Sequence, residues 1–290
     1  MPYSLETKFK ITRITKNNIN ELFADYEIAL KIYEDYTPRI IRIHTNEITS
    51  WIHKSYKDSF FDLFVFILYL NDTVVGLVML NYITQHKVVV IKYITLLDSL
   101  KSNSMFFPYM GMIRSYISKQ ELDVNSYLIE VIDNIKDLNK KQANREMAFF
   151  KRLMHTTGFK RIDAEYILPP LGLNRPESSA IASVYILNYL QNKHKENSNK
   201  VYKYEYLNMV KIIHNCYIKW YQKFLNSNDI IKYSAILVDM YEKIQNEIKN
   251  NQIDIEDVYY DEYIDYLNVH IHSDSAVDTS GYFYCKPINK

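Results

Sequence analysis

One long apolar run with a polar interruption limits what this chain can fold into. Residues 60–83 are rich in Phe, Val, Ile and Leu and are broken at Asn71-Asp72-Thr73. A membrane-spanning helix needs about 20 consecutive apolar residues, so the break reads as two strands and a turn. After Gln85-His86-Lys87, residues 88–97 form a third β-rich run. The three predict an antiparallel meander. Their apolar runs are partly continuous rather than alternating, which predicts a sheet covered on both faces. Gly76, early in the second strand, marks a bulge or a close approach.

The flanking segments supply the covers. Residues 9–14 alternate as a half-buried strand does. Asn18 is placed to cap a helix over about 19–33, with Ile19, Leu22, Phe23, Tyr26, Ala29 and Leu30 on one face. Thr45 is placed to cap a second helix to about 56, with Glu47 at its positive start. Ser102 or Ser104 suits the cap of a helix running to about 119. Residues 126–133 read as a strand, and 140–157 as a helix that stops at Gly158 in a left-handed C-cap. Residues 159–168 read as one strand ended by Pro169-Pro170, and 179–190 as another.

Residues 193–200 are polar throughout and read as a linker. Beyond them the period turns helical, with one stripe through Tyr206, Val210, Ile213, Tyr217, Trp220, Tyr221 and Phe224. A second runs over 230–248 through Leu237, Met240, Tyr241 and Ile244. The acidic, tyrosine-rich stretch 254–267 reads as a third short helix, and residues from 273 as a tail. The expected class is α+β: a mixed, mostly antiparallel sheet with flanking helices over 1–190, a helical extension over 201–270, and a tail over 271–290.

Composition narrows the classes of partner. Thirty-five basic and 34 acidic side chains leave a formal charge of +1, so no global field draws nucleic acid or anionic lipid. The 27 tyrosines are read as the codon bias of an AT-rich genome rather than as a tyrosine-based mechanism. Only two cysteines occur, Cys216 and Cys285, in no CxxC pair, so neither a disulfide framework nor a zinc signature is expected. With no apolar stretch directly after Met1, a reducing, cytoplasmic setting is expected, away from membranes.

The order strand, two helices, three-strand meander, helix, strand, helix, strand pair resembles the GNAT superfamily of acyl-CoA-dependent N-acyltransferases over residues 8–190. Gly158-Phe159, leading into Arg161-Ile162-Asp163-Ala164-Glu165-Tyr166, is similar to the family's step into its final strand pair. The resemblance implies acetyl-CoA or another acyl-CoA as co-substrate. Its pantetheine arm would lie where the fourth strand splays from the fifth, along Tyr93, Ile94, Thr95 and Leu96. The pyrophosphate would sit at the next helix start, on Lys101, Ser102, Asn103 and Ser104, where free N–H groups and the helix dipole bind anions. Three departures stand out. Ser104 and Phe106 occupy the loop's small-residue positions, Met154 stands where many members have a general-acid Tyr, and Lys92 where many have a Glu base.

Two readings follow. In the first, the protein moves an acetyl or other acyl group to a primary amine by direct attack. Glu130, on the fifth strand, and His86, before the fourth, are the candidate bases, and Tyr109 is a possible acyl-site wall. The competing roles are a Glu130–Lys92 pair, a solvated His86 and a core Tyr109. In the second, the fold is a catalytically inactive binding module acting through its C-terminal helices, which also suit a homodimer or a protein partner. No metal site is expected, since His270, His272 and Asp274 lack a clear further ligand.

Overall fold

A computed structural model describes residues 7–38, 41–54, 61–101, 105–132, 140–168, 180–188, 200–221, 227–249, 251–257 and 282–285. It opens with β1 (Thr7–Ile14), α1 (Phe23–Tyr36) and α2 (Thr45–His53). The meander follows as β2 (Phe61–Leu70), β3 (Thr73–Ile83) and β4 (Val88–Leu96). Next come the short α3 (Asp98–Lys101), α4 (Phe107–Lys119), β5 (Ser126–Ile132) and α5 (Lys140–Thr157). The chain continues through β6 (Lys160–Ile162), β7 (Tyr166–Leu168), β8 (Ala180–Asn188) and β9 (Lys200–Tyr202). Two helices, α6 (Lys203–Tyr221) and α7 (Ser227–Glu247), precede β10 (Gln252–Asp257) and β11 (Tyr282–Cys285).

These strands form one sheet in the order β11-β1-β2-β3-β4-β5-β8-β6-β10-β9, with β7 also on β8. The pairings are antiparallel except β4 with β5, which run parallel. The polar break at Asn71 and Asp72 is the β2–β3 turn, and both residues take left-handed φ angles of 48° and 61°. Asn and Asp tolerate that region at low cost, which suits them to the turn.

Each sheet face buries its own core. On one lie α1, α2, α6 and α7, with Tyr26, Tyr33, Trp51, Tyr206, Val210, Leu237 and Met240. On the other lie α4 and α5, with Phe106, Tyr109, Ile113, Phe149 and Met154. The near-continuous burial of β3 and β4 follows from this double cover.

Gly76 stands at both features expected of it. The β2–β3 register shifts beside it, and a Cβ there would sit 2.2 Å from the Thr95 carbonyl oxygen. Gly158 has φ +77° and ends α5. Its N–H donates to the His155 carbonyl at 3.2 Å, and the Phe159 N–H to that of Met154 at 2.9 Å. Those two bonds make a Schellman cap.

Several expectations change. The first helix starts at Phe23, because Asn18 is engaged in the preceding turn, accepting from the Thr15 N–H at 2.8 Å and donating to the Arg13 carbonyl at 2.9 Å. Thr45 lies inside its helix, with His44 at the cap. The helix expected from residue 102 or 104 starts at Phe107, behind the separate α3, while residues 102–104 lie outside the described set. The strand expected over 159–168 is two, because Asp163 turns to donate its N–H to the Asp254 carbonyl at 3.0 Å. The third C-terminal helix, expected over 254–267, is strand β10 through Asp257, paired with β6 and β9. In the expected tail, 282–285 pair with β1. The 193–199 linker, the prolines at 169–170 and the side chains of Tyr217, Trp220, Tyr221 and Phe224 fall outside the described residues.

Candidate active site

The parallel pair β4–β5 closes only part of its length. Its register runs from Val88 opposite Ser126 to Ile91 opposite Ile129 and stops. Beyond it β5 keeps pairing with β8, Glu130 to Val184 and Ile132 to Ala182, while β4 keeps pairing with β3. Ile94, Thr95 and Leu96 therefore have no register partner in β5, and an opening runs between the strands.

A bulge sets what enters it. Leu80 faces Ile91 and Met79 faces Tyr93, so Lys92 is the extra residue. Val88 and Val90 face the α1 side, alternation sends Lys92 there too, and the bulge returns Tyr93 to that face. On β5, Leu128 and Ile132 face the same side, and Glu130 lies between them. Lys92 Nζ stands 2.6 Å from Glu130 Oε2, with the two side chains 5% and 3% exposed. Tyr166 on β7 donates its hydroxyl to Glu130 Oε1.

Around these charges the opening is mostly apolar. A cavity of about 70 Å³ is lined by Tyr36, Ile41, Tyr93, Ile132, Phe150 and Leu168 together with Lys92 and Glu130. Its polar wall is a pair of threonines, Thr37 at the end of α1 and Thr95 on β4, with their hydroxyls 3.1 Å apart. Tyr93 is held by its hydroxyl, which donates to the Ile41 carbonyl at 2.5 Å.

The C-terminal helices pack against β7, behind Tyr166 and outside the cavity lining. The His214 ring on α6 lies 5.3 Å from that of Tyr166, and its Nδ1 is 2.9 Å from the Tyr241 hydroxyl on α7. Burial pushes the His214 imidazole down to about 3, with Glu130 opposing and Lys92 adding to the shift. Burial, then the Glu130 charge, drives Tyr166 well above its usual range, so it stays a phenol and a donor. His214 Nε2 and the Tyr233 hydroxyl are buried without a hydrogen-bond partner among the described residues.

The sequence candidates divide over the molecule. Glu130, Ile94 and Thr95 meet at the opening, while the Leu96 side chain is buried in the core on the α4 side. His86 does not meet them: it lies in the turn before Val88, at the closed end of β4, with about 13 Å of strand between Val88 and Lys92. Burial lowers its pKa, with Glu205 opposing. Lys101 belongs to α3, is 8% exposed, pairs with Asp98 at 3.1 Å and lies 5.2 Å from the Tyr36 ring centre. Ser102, Asn103 and Ser104 lie outside the described residues, as do His270, His272 and Asp274.

Tyr109 is a core residue, fully buried against Phe9 and donating to the Tyr69 carbonyl at 2.8 Å. Met154 is wholly buried, so a thioether with no proton to give replaces the expected acid. Phe106 packs in the core against Tyr109 and Phe149. Tyr166 and His214 were not legible as site residues: Tyr166 ends the step quoted for the resemblance but nothing there marks a site role, His214 lies in no motif, and only tertiary packing sets Tyr166 on Glu130 and His214 on Tyr166. Among the described residues no His, Cys, Asp and Glu group could hold a metal, and no helix is long and apolar enough to cross a membrane.

A meander, a parallel fourth and fifth strand that separate, and helices on both faces make this a GNAT-like α+β fold. No protein-family model matches the chain, and no curated protein matches it. Among solved structures it is similar to a tandem GNAT protein from the clavulanic acid biosynthesis pathway, at 12% identity and a TM-score of 0.43. That likeness covers 54% of this chain and 45% of the other, so the chain spans under half of that protein's length. It is similar at 11% identity and TM-score 0.43 to a Salmonella typhimurium acetyltransferase that modifies the N-terminal serine of ribosomal protein L7/L12, over 64% of this chain and 97% of that one. A Vibrio cholerae spermidine N-acetyltransferase is similar at 10% identity and TM-score 0.42, over 65% and 98%.

Proposed function

We propose that this protein is an N-acyltransferase that moves an acetyl or other acyl group from acyl-CoA to a primary amine by direct attack. The observation that carries the reading is the β4–β5 opening with Glu130 buried in it. Ile94, Thr95 and Leu96, past the end of the described β4–β5 register, are proposed for an amide-bearing arm, with the backbone of Ile94 and Leu96 on the β5 side and that of Thr95 turned to β3. Lys101, Ser102, Asn103 and Ser104 are proposed for the phosphates. Glu130 takes the proton that the attacking amine loses. The N–C bond forms as the C–S bond breaks, and the sulfur leaves as a thiolate that is then protonated. Lys92 holds Glu130 in place. His86 is not needed for this chemistry.

In this reading residues 1–190 carry the reaction, the helical extension over 201–270 completes the acceptor pocket or makes a dimer interface, and 271–290 are a tail of which 282–285 edge the sheet. A cytoplasmic setting goes with it. Isothermal titration with acetyl-CoA and desulfo-CoA tests the reading. Micromolar binding of both supports it, and binding of neither by folded protein rules it out.

A second reading draws on two observations. Lys101 is paired to Asp98 inside α3, and Met154 holds the place of the acid. A catalytically inactive GNAT-like module would then act by binding, through α6 and α7, a protein partner or a second copy. The same titration separates the two.

A further inference from the structure

This inference rests on the acyltransferase reading and concerns how the CoA sulfur leaves. A thiolate formed in a buried, mostly apolar opening is a costly charge, so a proton delivered as the C–S bond breaks lowers the barrier. Met154 cannot deliver it, being a wholly buried thioether. The geometry puts another donor close by. An amine that hands its proton to Glu130 lies about 3 Å from that carboxylate and about 3–3.5 Å from the carbonyl carbon it attacks. The sulfur is bonded to that same carbon. Lys92 Nζ, 2.6 Å from Glu130 Oε2, therefore stands within a few ångströms of the bond that breaks. Its side chain lines the same cavity as Glu130, Ile94 and Thr95, and the β4 bulge aims it there. Tyr166, a second donor to Glu130, reaches the other oxygen, Oε1, from β7 and does not line the cavity.

The pairing also sets the timing. While Glu130 is ionised, its charge favours the ammonium form of Lys92. Once Glu130 takes the amine's proton, Lys92 loses that opposing charge but stays buried. Burial disfavours an ammonium, so Lys92 gives up a proton most readily as the thiolate forms.

We propose that Lys92 is the general acid of the reaction. As the amine nitrogen bonds to the carbonyl carbon, its proton passes to Glu130. As the C–S bond breaks, Lys92 Nζ protonates the sulfur and becomes a neutral amine. One proton then crosses the 2.6 Å from Glu130 to Lys92 and restores the pair. The products are the amide and the CoA thiol, with no proton gained or lost by the protein.

Lys92→Arg in the full chain tests this. Arginine keeps a cation opposite Glu130 but does not release its proton. Acetyl-CoA is compared with its analogue carrying selenium in place of the thioester sulfur, and amide formation is followed with n-butylamine, spermidine and a short lysine peptide. A selenol is a stronger acid than a thiol, so the selenolate leaves without a proton. Lys92→Arg should lower kcat about 100-fold or more with acetyl-CoA and about tenfold or less with the selenium donor, with acetyl-CoA affinity nearly unchanged. The unaltered protein gives a second measurement that needs no variant. Heavy water should slow the thioester reaction more than the selenoester reaction, because only the first moves a proton onto the leaving atom.

Full activity in Lys92→Arg would leave Lys92 only a holder of Glu130 and overturns the inference, with the acyltransferase reading still standing. So do equal losses with both donors in a folded variant, or equal slowing of both by heavy water. Formation of no amide from any of the three amines, by protein that binds acetyl-CoA, also overturns it. Failure to bind acetyl-CoA overturns both together.

Discussion

Lys92 and Glu130 face each other across the opening between β4 and β5, ammonium to carboxylate at 2.6 Å, each side chain almost fully buried. Removing one partner strands the other's charge in a buried site. Lys92→Met is expected to cost about 3–5 kcal/mol, and adding Glu130→Gln to it should recover most of that. Urea unfolding of the two single variants and the double variant measures the coupling. Additive losses would show that the pair is not formed.

Glu130→Gln keeps the shape of the side chain but cannot take a proton. In the acyltransferase reading it lowers kcat about 10²–10⁴-fold, the usual range for a general base, with acetyl-CoA affinity nearly unchanged. An unaltered kcat would remove Glu130 from the chemistry.

Tyr166→Phe deletes the phenol that donates to Glu130 Oε1. A hydrogen bond to a charged group contributes about 1.5–3 kcal/mol, so a stability loss of that order is expected. The bond favours the ionised carboxylate, so its removal should move the acid limb of the pH–rate profile upward. A loss of stability with an unmoved profile would make Tyr166 purely structural.

His214 makes stability depend on acid. Its imidazole is held down to about 3 in the folded protein, against about 6.5 when unfolded. Between those values the unfolded chain binds a proton that the folded chain does not, so stability is full above about pH 6.5 and falls as the pH drops. The slope approaches about 1.4 kcal/mol per pH unit until about pH 3. His214→Phe should flatten that component, as followed by urea midpoints from pH 7 to pH 4.

Two glycines should answer oppositely to alanine. At Gly76 a Cβ meets the Thr95 carbonyl at 2.2 Å, backbone against backbone, so β3 and β4 must part beside the opening. A loss of about 1–3 kcal/mol is expected. At Gly111, inside α4, nothing lies within 4 Å of an added Cβ, and alanine should stabilise by about 0.5–1 kcal/mol. Thermal midpoints of the two variants moving in the same direction would contradict this.

Local chemistry settled a good share of this protein. The polar break at Asn71-Asp72-Thr73 between apolar runs specifies a hairpin, because those residues tolerate a turn and the runs need cover. Gly158 after a helical period specifies a left-handed cap, and its two hydrogen bonds form within six residues. The stripes through Tyr206, Val210 and Ile213 and through Leu237, Met240 and Ile244 specify helices that bury one face. Each signal lies within about two turns of chain.

Where a signal depended on distant partners, only the tertiary structure decided. Residues 252–257 have no strong local preference and become a strand because β6 and β9 supply their hydrogen bonds. Asn18 looks like a helix cap until Arg13 and Thr15 engage it. The pairing of Glu130 with Lys92 was open in the sequence, yet the bulge that aims Lys92 depends on its register with β3. Tyr166 reaches Glu130 from 36 residues along the chain and His214 reaches Tyr166 from 48, through contacts that no spacing rule encodes. The fold is written in periods and turns, whereas the site is assembled by register and packing between segments far apart in sequence.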